Sequence, residues 1–170
     1  MSLTPAQVAR TAADQMLRGL DGVLAKAEAH AAEQEVDEAV YLNWRFTPDM
    51  FPMVRQVQIA TELPVRGLAR LAGQDVPSIP DTEESFADLR ARVAKAKELV
   101  ATISDEAINA NPDGPITFPA GGAEMTLPRL AYLQGFILPN LYFHTSMTYG
   151  LLRACGVPIG KRDYLAAPSR

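Results

Sequence analysis

One cysteine and two histidines are all that this chain of 170 residues offers as thiolate or imidazole metal ligands. Cys155 closes no internal disulfide and builds no cysteine-rich zinc site, a usage that fits a reducing compartment. Its place at the end of a helix, where the dipole disfavours a thiolate, makes it a packing residue rather than a nucleophile. Basic excess is lacking too. With 16 Lys and Arg against 20 Asp and Glu the formal charge is −4, so no cationic face for nucleic acid is expected. No apolar stretch approaches the length of a membrane span, and no basic flank followed by an apolar run opens the chain. The expectation is a cytoplasmic protein with neither a nucleic-acid nor a membrane partner.

What is present describes an ordinary globular protein, 48% hydrophobic and 21% charged, with one domain expected over residues 1–170. The basic runs at residues 66–70 and 90–97 are interrupted by apolar residues at helical spacing and read as solvated helix faces. Thr4-Pro5-Ala6-Gln7 predicts a capping box and a helix start, with Val8, Ala12, Met16, Leu20 and Ala27 on one face. His30 falls at the polar end of that helix, a solvent-exposed position. Residues 33–43 lose the pattern, and residues 40–46 read as an aromatic, extended link. Thr47 to Pro52 predicts a second capped start, followed by a stripe from Met53 to Leu71 that Gly73 ends; Pro64 should bend or break it. Asp81 or Thr82 is the expected cap of a third helix, whose seam runs through Phe86, Leu89, Val93, Ala96, Val100 and Ile103. Residues 104–115 read as turn, and residues 116–126 as a small hairpin around Gly121-Gly122.

The fourth helix, residues 127–156, organises the rest. Leu130, Leu133, Ile137, Leu141, His144, Met147 or Thr148, Leu151 and Cys155 recur by three or four down one stripe, which aims His144 at the core. A polar ring there needs a partner or a cavity, since an unpaired buried polar group costs about 1–3 kcal/mol. Asn140 and Thr148 lie one turn to either side of His144, and Gln56 reaches it if the second helix packs alongside. Pro139 frees the carbonyl of Gly135. Trp44, Phe46, Phe51, Phe136, Tyr142, Phe143 and Tyr149 make the neighbourhood dense in aromatics. Leu138, Tyr142 and Phe143 lie off the stripe, so this helix is either central or covered by a second copy, and a homodimer is expected. The whole is an all-α four-helix bundle with a small hairpin before the last helix.

Three readings of function follow. In the first, His144, Asn140, Gln56 and Thr148 line a pocket that binds a small molecule without a firmly held metal. In the second, His144 is the ligand or base of a transferase or hydrolase, zinc or nickel being the metal considered. In the third, the protein is a structural or partner-binding dimer.

RFTPDMFPMVRQVQIA at residues 45–60 and PNLYFHTSMTYGLLRACGVPIGKRDYL at residues 139–165, with LAG, SFADLRARV and ITFPAGG between them, resemble a bacterial domain-of-unknown-function family. That family is placed within the DinB/YfiT-like metalloenzyme superfamily. The resemblance implies a dimeric four-helix bundle. In the wider superfamily it implies a divalent metal held by three histidines, one on the second helix and an HxxxH pair on the fourth, and in some members thiol transfer with mycothiol or bacillithiol. By that resemblance His144 falls at the second histidine of the pair and Asn140 stands at the first. The second-helix histidine has no counterpart, and Gln56 is the nearest polar residue.

Overall fold

The computed structural model of the protein describes residues 3–166. Its first helix, α1 (Pro5–Glu33), begins as its sequence requires: the Thr4 hydroxyl accepts from the Gln7 amide, the Gln7 side chain accepts from the Thr4 amide, and Pro5 takes a position that needs no N–H. Its buried face carries Met16, Leu20, Val23, Leu24 and Ala27. His30, in the last turn, meets the Tyr41 ring edge-on at 6.3 Å.

Local hydrogen bonds put four helix starts at positions that spacing alone did not suggest. A short helix, α2 (Glu38–Leu42), replaces the extended link because the Asp37 carboxylate accepts from the Ala39 amide. The next helix, α3 (Met53–Leu71), starts at Met53 and not at Thr47, whose hydroxyl donates to Asp49 instead. It ends as predicted, with Gly73 at φ +67°. Pro64 is buried inside it without breaking it; contacts with α1 and the later helices hold the segment on both sides. Ser85, rather than Asp81 or Thr82, caps α4 (Phe86–Thr102), and the Glu38 carboxylate accepts from the Phe86 amide at 2.6 Å. Ser104 caps a short α5 (Asp105–Asn109) inside the stretch read as turn.

The hairpin is present. Strands β1 (Ile116–Ala120) and β2 (Ala123–Leu127) pair antiparallel, Ile116 opposite Leu127, around Gly121 and Gly122 at φ +60° and +84°. Two consecutive positive φ angles are what a two-residue hairpin turn demands and what glycine adopts without strain.

The last long helix is continuous in the chain but not in its winding. It runs as α6 (Arg129–Tyr132), a π turn (Leu133–Ile137) and α7 (Leu138–Ala154). A π turn holds one residue more than an α turn, and it falls just before Pro139, which has no N–H for the α ladder. The extra residue shifts the phase upstream by about one position. Arg129 and Tyr132 are therefore buried while Leu130, expected in the core, is 60% exposed. Downstream the stripe holds, with Leu141, His144, Thr148 and Leu151 buried.

In the bundle, α1 and α3 each pack against both α4 and α7. Close approach of α3 to the last helix needs Gly67, where a Cβ would stand 2.9 Å from Cγ2 of Ile137. A final turn, α8 (Lys161–Tyr164), docks on α1 at Gly19, where a Cβ would collide with the Tyr164 carbonyl. No helix of the described residues is long and apolar enough to cross a membrane. The basic run at residues 90–97 is not wholly a solvated face: the Arg92 side chain is 1% exposed, held among Glu62, Asp81 and Glu83.

Candidate functional site

His144 reaches α3 because α3 and α7 lie against one another and Gln56, on the facing turn, is 2% exposed. The imidazole Nδ1 and the Gln56 Oε1 are 2.7 Å apart, and the Gln56 Nε2 donates to the Phe51 carbonyl at 3.2 Å. These two bonds fix each other's direction. A backbone carbonyl only accepts, so the Gln56 amide must present its NH2 to Phe51 and its oxygen to His144. Nδ1 therefore carries the proton, and Nε2 is left with a lone pair.

Nε2 has no hydrogen-bond partner among the described residues, yet it is not sealed in: the one buried side-chain polar atom without a partner there is Nε of Arg129. His144 as a whole is 8% exposed. The ring is thus gripped by Gln56 at Nδ1, and Nε2 is the nitrogen left without a partner. Phe143 stands edge-on to it, ring centres 5.1 Å apart, and is 53% exposed. Trp44, Phe46 and Phe51 are half-exposed on the irregular segment between α2 and α3, and the Phe46 ring lies 3.5 Å from the space a Gly150 side chain would occupy. Phe143, Met147 and Gly150 share one stripe of α7, so Phe46 lies over the Gly150 end of the stripe that starts beside His144.

The other predicted site residues are placed differently. Thr148 is fully buried, and its hydroxyl donates to the His144 carbonyl at 3.0 Å. Asn140 is half-buried and donates to the Phe136 carbonyl in the π turn at 2.7 Å. The structure brings Gln56 to His144; it ties Asn140 and Thr148 to the backbone of their own helix. The Phe51 carbonyl and Arg55 were not foreseen, and nothing in the sequence marks a carbonyl for such a role.

A three-histidine cation site does not match these donors. His144 supplies one free nitrogen, both ends of the Gln56 amide are engaged, and the Asn140 nitrogen is bonded. No group of three or more His, Cys, Asp or Glu side chains that could hold a metal ion occurs among the described residues.

Burial, with the Arg55 cation adding to it, lowers the His144 pKa from 6.5 to about 4. Below pH 6.5 the unfolded chain takes up a proton that the folded ring refuses, so stability falls with pH until both forms are protonated near pH 4. The expected loss is at most about 1.4 kcal/mol per pH unit across that window. Denaturant unfolding of the protein and of His144→Phe at several pH values checks it: the difference between the two should be flat above pH 6.5 and change steadily below.

Residues 7–165 match a sequence family described as a domain of unknown function, DUF1993. Among solved structures the chain is similar to a crystal structure of a DinB family member protein from Shewanella denitrificans, at 35% identity over 95% of this chain and 91% of that one, with a TM-score of 0.85. No curated protein matches the chain.

Proposed function

Because the chain belongs to the DUF1993 family and has the all-α DinB-like fold, we propose that it binds a small molecule at His144 and that it does so without a firmly held metal. The observation that carries this reading is the hydrogen-bond chain from the Phe51 carbonyl through Gln56 to Nδ1. It presents Nε2 as a fixed, unprotonated acceptor at the edge of an aromatic face. An acceptor held in one tautomer by a buried amide recognises a ligand without reorganisation.

Nitrogen NMR of the histidine side chains tests the premise. At pH 7 the His144 ring should show a protonated Nδ1 and an unprotonated Nε2, and Gln56→Leu should remove that bias. Titration with a panel of neutral fragments tests the binding: amide shifts should cluster at Gln56, Phe143 and His144, and disappear in His144→Phe. If no fragment moves these resonances, the reading fails. Near-stoichiometric zinc or nickel in the untagged protein, lost on His144→Ala, would instead favour the metal-assisted transferase or hydrolase.

A second reading has its own observation. Val40, Trp44, Phe46, Phe51, Tyr142 and Phe143 are each at least 40% exposed on one chain, more large apolar side chains than solvent contact favours. They support a homodimer through the outer face of α7. Light scattering after gel filtration should give twice the mass of the chain, and Phe143→Glu should give the single-chain mass.

A further inference from the structure

We infer that the ligand taken at His144 is a planar aromatic molecule carrying a neutral O–H or N–H donor, the class of simple phenols and indoles. The inference rests on the reading of His144 as a binding site and narrows it. Three features select this class.

The first is the one-sided hydrogen-bonding capacity of the ring. With Nδ1 engaged by Gln56, the imidazole has only the Nε2 lone pair to offer, so the ligand must donate. An ether or ketone finds nothing to bond, and a carboxylate or phosphate ester brings lone pairs against a lone pair.

The second feature concerns charge. Arg55 precedes Gln56 on α3, and its guanidinium is held by Asp81 and by the Gln58 oxygen at 3.1 Å. That cation is near enough to oppose a positive charge at the His144 ring. It opposes an ammonium donor at Nε2 for the same reason. Neutral O–H and N–H groups remain.

The third feature is shape. Phe143 is edge-on to His144 and 53% exposed, and Phe51, whose carbonyl anchors Gln56, is 54% exposed. Aromatic rings favour offset or edge-to-face contact with other rings, which a flat ligand at Nε2 makes with the exposed Phe143 ring. A flexible aliphatic alcohol donates equally well but must lose more rotamer freedom to cover the same surface.

Phenol, anisole and benzoate share one ring and differ in the group offered to Nε2, so their titration into the intact protein at pH 7, followed by amide and histidine nitrogen shifts, tests the inference. Phenol should move the His144 and Phe143 resonances and bind about fivefold or more tightly than anisole, the difference one neutral hydrogen bond makes. Benzoate should be weaker than phenol. In His144→Phe the preference for phenol over anisole should vanish; Gln56→Leu, which keeps the imidazole but frees its tautomer, should reduce it. Equal binding of phenol and anisole at His144 overturns the donor requirement while leaving the binding site in place, as does tighter binding of benzoate. Cyclohexanol binding as tightly as phenol overturns the aromatic requirement. No perturbation of His144 by any of the four overturns both this inference and the reading beneath it.

Discussion

Arg92→Ala should destabilise the protein by about 3–5 kcal/mol, the cost of removing one partner from a buried charge cluster. The Arg92 guanidinium donates to the Thr61 hydroxyl at 2.8 Å, to the Pro80 carbonyl at 2.8 Å, and to Glu83 at 2.8 Å and Glu62 at 3.1 Å. Asp81 stands 3.0 Å from it as well. The substitution leaves the Glu62 and Glu83 side chains, 10% and 6% exposed, facing each other without the cation between them. Arg55 and Arg66 pair with Asp81 and Glu62 from the outside but cannot fill the centre. Since Asp81 and Glu83 belong to the loop between α3 and α4, the same change should release that loop. Urea unfolding measures the total, and proteolysis within residues 74–84 reads the local part. A loss below about 1 kcal/mol would mean that the cluster behaves like a surface ion pair.

Phe118→Ala should remove about 3 kcal/mol or more, the usual cost of deleting a fully buried phenylalanine ring. The ring is 1% exposed and lies 4.7 Å from the Tyr132 ring centre and 4.6 Å from that of Phe136, with the Arg70 guanidinium 5.9 Å over its face. On β2 the facing residues are exposed or half-buried, so Phe118 and Ile116 hold the hairpin to the bundle. A two-stranded hairpin is marginal by itself in water. Hydrogen exchange should therefore show the hairpin amides losing protection in the variant while those of α1 and α3 keep theirs. Uniform loss across all helices would show instead that the hairpin is part of the global cooperative unit.

The histidine and the arginines show where reading the chain succeeds and where it stops. His144 was placed on a buried stripe by the three-four recurrence of its neighbours, and the structure keeps it there at 8% exposure. Gln56 was named as its partner only on the condition that two helices met, and they meet. The same recurrence put Leu130 in the core, and it failed because the π turn inserts a residue that periodicity cannot register. Arg92 lies in a basic run that reads as a solvated helix face, since charge predicts solvent. Arg92 is buried because three carboxylates from two other segments surround it, and Arg129 because it donates to the carbonyls of Leu71 and Ile108 at the ends of α3 and α5.

By itself, then, the sequence determined the long helices, the glycine hairpin, the Thr4 capping box and the face on which His144 lies. Each of these is decided within a few consecutive residues, by spacing, by capping hydroxyls and carboxylates, or by φ angles that only certain residues adopt. Tertiary structure alone decided that Nδ1 meets Gln56 while Nε2 is left without a partner, that Asn140 turns back on its own helix, and that Arg92 sits among carboxylates. Those outcomes depend on how helices cross and where one of them slips phase, and crossing angle and phase are properties of packed pairs that no single helix carries in its residues.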